Sequence, residues 1–198
     1  MERSIKHKQR TAKHISNKIL TVLFFYNGIF ILAATMLGPL YAVYVERFVD
    51  GIMAVSISWA TLLISTTLFT YFLSRTGDRI KDKKYLLLAG YLLRIIGWIS
   101  FIFVNNILSL VLVQILLGLG ESLGTPAFNT IFAEHLDKNE HIKEYSNWTL
   151  VSNLFSALGI VIGGLIVNSF GFPPLFLLMS LLATISFSGL LFQLKKSI

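Results

Sequence analysis

The 198-residue sequence contains no cysteine and few titratable side chains. Without cysteine the chain can form neither disulfides nor thiolate metal sites, and the redox compartment is left open. The four histidines lie in hydrophilic segments and not in apolar runs: His7, His14, His135 and His141. We therefore predict no metal site and no cofactor.

Charge is also scarce: charged residues make up 14% of the sequence, hydrophobic residues make up 55%, and the mean hydropathy is +0.71. That is more apolar side chain than one water-soluble core can bury. A helix crosses a bilayer core of about 30 Å with about 20 apolar residues. Runs of suitable length cover residues 19–45, 51–73, 84–104, 107–133, 147–168 and 173–194.

These runs are unbroken and lack the alternation of a transmembrane β-strand. Because lipid offers the backbone no hydrogen-bond partners, the runs must be helices. We predict an all-α membrane protein with six transmembrane helices in residues 19–194. A basic segment, 1–18, would precede them, and a short tail, 195–198, would follow.

The positive charges predict how the helices are oriented in the membrane. Fifteen of the 17 Lys and Arg residues lie before the first run, in the second and fourth loops, or in the tail. This asymmetry follows the positive-inside rule and predicts cytoplasmic termini in an inner-membrane protein. It also explains the formal charge of +7 without a nucleic-acid partner.

Similar interruptions in runs one and four predict two inverted three-helix repeats, a 3+3 bundle. Pro39 lies deep in the first run and Pro126 lies similarly deep in the fourth. A proline kinks a membrane helix, and matched kinks in paired repeats favour a cavity between them, although membrane helices also tolerate proline without such a role.

Small residues four positions apart predict close helix packing. The pairs are Ala34 with Gly38, Gly120 with Gly124, and Gly159 with Gly163.

Two charges lie far from any loop, Arg94 midway along the third run and Glu121 midway along the fourth. A lone charge at the bilayer centre costs at least about 2.5–3.5 kcal/mol, so we predict that they interact directly or through water. Glu121 would then be either a proton- or cation-binding carboxylate or one half of a structural clip. Other polar side chains that could line a transport path, or simply bond to neighbours, are Gln114, Asn27, Tyr41 and Asn129.

The second loop reads Ser-Arg-Thr-Gly-Asp-Arg-Ile-Lys-Asp-Lys-Lys and resembles the major facilitator superfamily motif G-x-x-x-D-[RK]-x-G-[RK]-[RK]. Asp78, Arg79 and Lys83 match that motif. In the family this loop reaches an acid at the end of helix four, where Glu134 stands here. The resemblance implies a gate formed by these four residues; a solvated positive-inside loop is the alternative. Three positions depart from the motif: Ser74, Lys81 and Asp82.

The resemblance extends over most of the chain. The segment from Gln114 to Gly120 is similar to the family's R-x-x-x-G-x-G, with glutamine in place of the arginine associated with proton coupling. Because members usually have twelve helices, the resemblance is to their N-terminal half. It implies alternating-access transport of a small solute by two six-helix halves, the second being another copy or a separate subunit. Helices two and five would form the interface.

Parts of the sequence also fit two other functions. Gly120-Glu121-Ser122-Leu123-Gly124 fits G-x-S-x-G, but a serine nucleophile needs an adjacent base, and the apolar runs hold no histidine. We therefore predict that the chain is not an enzyme. The other alternative is a non-transporting accessory protein that binds another helix bundle through the same grooves.

Overall fold

The computed structural model describes residues 20–48, 51–77, 80, 82–137 and 139–196, with side chains as far as Gln193. Within these ranges all regular structure is helical. Six helices are long and apolar enough to cross a membrane, which confirms the predicted fold class. They are α1 (Leu20–Val45), α2 (Ile52–Thr76), α3 (Lys83–Phe103), α4 (Ile107–Glu134), α5 (His141–Phe170) and α6 (Phe172–Lys196).

The largest difference from the predicted boundaries is at the start of α5. The helix begins at His141 and not at residue 147. Its first turns contain Lys143 and Glu144, so a hydropathy pattern locates only the apolar part of a longer helix. At the other end, Gly171 alone separates α5 from α6 and has φ +80°, a conformation that glycine adopts without strain.

The two prolines affect their helices differently. Around Pro39, α1 changes to a 3₁₀ turn, Gly38–Leu40, before a last α-helical segment, Tyr41–Val45. By contrast, α4 continues through Pro126 as one α-helix. Only α1 is therefore interrupted at the position that the sequence pattern singles out.

Helix α1 contacts each of the other five helices, so it is the centre of the bundle. A hydrogen bond from the Thr35 hydroxyl to the Ser156 carbonyl, at 3.3 Å, joins α1 to α5. Side-chain hydrogen bonds also join α1 to the remaining four helices. These bonds join Tyr41 to Ser58 of α2, Asn27 to Tyr91 of α3, Tyr41 to Gln114 of α4, and the Tyr26 carbonyl to Ser186 of α6.

Glycines permit the close approach of α5 to α1. A Cβ on Gly159 would overlap the Leu32 carbonyl, and one on Gly163 would overlap the Met36 carbonyl. The third predicted packing position in this region, Gly38, behaves differently: a Cβ there would meet no atom within 4 Å. Gly38 therefore brings no two backbones together and belongs instead to the break in α1.

Helices α3 and α4 also approach through glycine. A Cβ on Gly90 would lie 2.6 Å from the Gly124 Cα atom, and one on Gly120 would lie 3.1 Å from the Gly90 carbonyl oxygen. The sequence pattern predicts Gly120 and Gly124 at such a contact but not Gly90. The close contact places residues in the middle of α3 beside those in the middle of α4.

The helices differ in how much of their surface the bundle covers. Only 17% of the most apolar stretch of α2 and 11% of that of α5 are buried. For the other four helices the buried share lies between 39% and 50%. Helices α2 and α5 therefore present the largest uncovered apolar surfaces to lipid or to another protein.

Gly163→Ala is expected to destabilise the bundle, because the added methyl group overlaps the Met36 carbonyl and forces α1 and α5 apart. We expect a loss of about 1–3 kcal/mol, the usual cost of overpacking. Thermal unfolding of the purified protein measures it. Gly164→Ala is the matched control, since a Cβ at Gly164 meets no atom within 4 Å. Equal unfolding temperatures for the two variants would contradict the packing described here.

Candidate functional site

A partly buried ion pair joins the middle of α3 to the middle of α4. The Arg94 guanidinium donates to one carboxylate oxygen of Glu121, and its side chain is 11% exposed against 44% for that of Glu121. Thr125, one turn after Glu121, donates to the other carboxylate oxygen and lies 3.2 Å from the guanidinium. The contact expected between Arg94 and Glu121 is therefore direct.

The surroundings of Arg94 hold the guanidinium in place. The close contact of Gly90 with Gly124 brings the two helices together one turn away from Arg94. On the α1 side, the guanidinium carbon lies 5.0 Å from the centre of the Phe30 ring. A cation over an aromatic face is attracted by the ring quadrupole, so α1 stabilises the charge as well.

Two cavities lie on either side of this ion pair. The first cavity, of about 170 Å³, is formed near the end of the bundle at which α1, α3 and α5 terminate. The second cavity, of about 290 Å³, is formed towards the end at which α2 and α4 terminate. Arg94, Glu121 and Ala34 line both cavities. The ion pair therefore lies at the boundary between them.

The first cavity is mainly apolar, and four of its lining residues are aromatic. Tyr41, Trp59, Trp98 and Phe101 contribute rings from α1, α2 and α3, and Gln114 contributes an amide from α4. The break in α1 supplies this cavity with wall residues, because Gly38 and its neighbours line it. The second cavity is more mixed and is lined by Asn27, Tyr91, Thr125, Asn129 and Trp148, among others.

A chain of hydrogen bonds fixes the Gln114 amide at the wall of the first cavity. Its nitrogen donates to the Tyr41 hydroxyl, which donates to the Ser58 hydroxyl at 2.7 Å, which donates to the Val55 carbonyl at 2.9 Å. Gln114 is 1% exposed, and its Oε1 atom has no partner. A buried acceptor left in this state costs about 1–3 kcal/mol.

The predicted path residues therefore divide between the two cavities. Tyr41 and Gln114 line the first, whereas Asn27 and Asn129 line the second. Asn27 also accepts a hydrogen bond from Tyr91. Sequence reasoning did not single out Thr125, although its position one helical turn after a mid-membrane carboxylate is a usable signal.

The proposed gate lies partly outside the described residues, because Asp78 and Arg79 are not among them. Lys83 donates from its Nζ atom to the Gly77 carbonyl at 2.8 Å, at the start of α3. Glu134 is exposed at the last residue of α4. The gate therefore stays a prediction.

Ser122 is placed unlike a nucleophile. It is 1% exposed, and its hydroxyl donates back to the Leu119 carbonyl at 2.8 Å. Ser122 lines neither of the two cavities described above. The G-x-S-x-G pattern is thus accounted for by helix packing around Gly120 and Gly124.

Six membrane-length helices with charged and polar groups around central cavities define a multi-pass membrane protein. The chain belongs to the Major Facilitator Superfamily, whose family model matches residues 22–197. A relative is the uncharacterized MFS-type transporter YitZ of Bacillus subtilis (strain 168), 23% identical over 154 residues. The match covers 78% of this chain and 93% of that relative.

Arg94→Leu and Glu121→Leu are each expected to destabilise the protein, while the double variant loses less than the sum of the two. The reason is that either single change leaves one charge without its partner inside the membrane. We expect a coupling of about 1–2 kcal/mol in a double-mutant cycle of thermal unfolding. The exposed pair Lys143 and Glu140, 3.2 Å apart, provides the control, with a coupling below about 0.5 kcal/mol. Additive effects at Arg94 and Glu121 would contradict a stabilising pair.

Proposed function

We propose that this chain is a six-helix half of a secondary-active transporter that moves a small molecule by alternating access. One observation carries the proposal: the Arg94–Glu121 pair separates two cavities that lie towards opposite ends of the bundle. Alternating access requires a central site that is reached from each side in turn. The ion pair is a polar boundary between two cavities, each of which would form half of the transport path, and this arrangement fits that requirement. The family also points to a transporter and not to an enzyme.

A second six-helix half completes the pathway. The Glu121 side chain is 44% exposed although it lies at mid-depth, so the bundle alone leaves a charged group partly uncovered. Leaving a charge partly uncovered at mid-membrane is costly, and a facing bundle would cover it.

Helices α2 and α5 form the interface in this proposal. They are the least covered helices of the bundle, and exposed apolar faces of this size mark sites where another protein or lipid packs. The partner is a second copy of the chain or a separately encoded half. Helices α1 and α4 then line the path between the two halves.

The proposed orientation follows the charge distribution and not the fold. Both termini and the connections after α2 and α4 would be cytoplasmic, in the inner membrane. The gate of Asp78, Arg79, Lys83 and Glu134 would then close the cytoplasmic end. The basic segment 1–18 and the tail 195–198 would flank the membrane domain.

Glu121→Gln is expected to abolish transport, because the amide cannot keep the ion pair that separates the two cavities. The measurement is a mass-spectrometric comparison of small molecules inside and outside cells that express each variant at equal membrane levels. The wild type should change the distribution of at least one solute, and Glu121→Gln should not. Glu140→Gln, outside both cavities, serves as the control. Unchanged distributions in all cells would favour the accessory protein that binds another helix bundle.

Pairing through α2 and α5 predicts that cysteines placed on these helices cross-link between copies. Leu63→Cys on α2 and Leu158→Cys on α5 are exposed, at 56% and 48%, and the natural chain supplies no competing cysteine. Co-expression of the two variants should give a disulfide-linked dimer. Leu181→Cys on α6, 57% exposed, should pair with neither. Monomer alone in all combinations would contradict a dimer of copies.

A further inference from the structure

The carboxylate of the central ion pair can accept more hydrogen bonds than it does. Glu121 accepts one bond at each oxygen, from Arg94 and from Thr125, whereas an ionised carboxylate has about four lone-pair sites. Its side chain is 44% exposed and lines both cavities, so a ligand in either cavity can reach it. Glu121 can therefore accept from a further donor while it keeps its bond to Arg94.

The arginine of the pair has spare donors as well. The bonds of Arg94 to Glu121 and Thr125 both leave from Nη2, and neither Nε nor Nη1 bonds to any described residue. These two nitrogens are in contact with open space, since the one fully enclosed side-chain polar atom without a partner in the described ranges is Gln114 Oε1. Nε and Nη1 carry most of the N–H donors of a guanidinium, and these remain for an acceptor.

The guanidinium of Arg94 lies at the wall of the second cavity. Three of its neighbours line that cavity and not the first: Phe30, Gly124 and Thr125. The Phe30 ring centre lies 5.0 Å from the guanidinium carbon, and a Cβ on Gly124 would lie 3.7 Å from the same atom. A ligand in the second cavity therefore meets both members of the ion pair.

The remaining wall of the second cavity is mostly apolar. It includes four aromatic rings, from Phe30, Tyr91, Phe128 and Trp148. An apolar or aromatic group of a ligand loses its contact with water against such a wall. The volume of about 290 Å³ is near the lower end of the roughly 300–1,000 Å³ that is usual for small-molecule sites. The cavity thus suits a small solute with a charged end and an apolar end.

The charges of the pair select among such solutes. A cation bound to Glu121 would also lie beside Arg94 and would give the site a net positive charge, and an anion bound to Arg94 would give it a net negative one. Either net charge is costly near the middle of a membrane. A zwitterion supplies both charges together, so each charge meets its opposite and the site stays neutral. Because Arg94 and Glu121 are in direct contact, the two charged groups of the solute must also lie close together.

We propose that the second cavity binds a zwitterionic solute of the amino-acid type. Its carboxylate accepts from the free N–H groups of Arg94, its ammonium group donates to Glu121, and its apolar side group packs among the aromatic rings. This inference rests on the proposed function, since it names the solute class of the same path. The ion pair is then part of the binding site as well as the boundary between the cavities.

Three fluorinated probes with the same ring separate the contributions of the two charges. 4-Fluorophenylalanine carries both charges, 4-fluorophenethylamine carries only the ammonium group, and 3-(4-fluorophenyl)propanoate carries only the carboxylate. Fluorine NMR of the protein in lipid nanodiscs measures the bound fraction, and empty nanodiscs correct for uptake into lipid. We expect 4-fluorophenylalanine to bind about tenfold more tightly than either of the others, the factor for about 1.4 kcal/mol, near the strength of one hydrogen bond to a charged group.

Removing one charge of the pair should change the preference in opposite directions. In Glu121→Gln the ammonium group loses its partner, so 3-(4-fluorophenyl)propanoate should bind at least as tightly as 4-fluorophenylalanine. In Arg94→Gln the carboxylate loses its partner, and 4-fluorophenethylamine should do so instead. Glu140→Gln, outside both cavities, is the control and should keep the wild-type order. A ratio between probes does not depend on how much of a variant is folded.

The inference is overturned if the wild type shows no preference for 4-fluorophenylalanine, if no probe binds beyond empty nanodiscs, or if either charge variant keeps the wild-type order. Because this readout is binding and not flux, it is independent of the transport test. Transport without the zwitterion preference would refute only this inference. The zwitterion preference without transport would refute only the proposed function.

Discussion

The ion pair of Arg94 with Glu121 is the interaction on which the organisation of this bundle depends. An arginine at mid-membrane is tolerated when a carboxylate and further hydrogen-bond partners compensate it. Here the partners come from α4, so α3 and α4 must lie side by side with little space between them. Gly90 makes that approach possible, because a side chain at this position would overlap the backbone of Gly124.

The consequences of this pair extend to both ends of the bundle. Since Arg94 and Glu121 line both cavities, the pair divides the interior into two parts instead of one channel. The break at Pro39 in α1 lies at the wall of the first part, because Gly38 of the 3₁₀ turn lines the first cavity. In the proposed function, this pair is the boundary between the two cavities that would open in turn to the two sides of the membrane.

Hydropathy and charge in the sequence predict the six helices because bilayer thickness constrains helix length so strongly. The contact between Arg94 and Glu121 follows from the same reasoning, since isolated charges in lipid are costly. Hydrogen bonds between polar side chains of different helices do not follow from hydropathy or charge. Nothing in a single sequence indicates that Gln114 donates a hydrogen bond to Tyr41, or that Tyr41 donates one to Ser58. The effect of a proline on its helix also depends on the surrounding residues, because α4 continues through Pro126 without a break.

The central claim is that two half-paths meet at this ion pair, and thiol accessibility tests it most directly. Leu62→Cys lines the first cavity and Asn129→Cys the second, in a chain without other cysteines. Membrane-impermeant thiol reagents should label these two positions from opposite sides of the membrane. Labelling of both from the same side, or of neither from any side, would contradict the account.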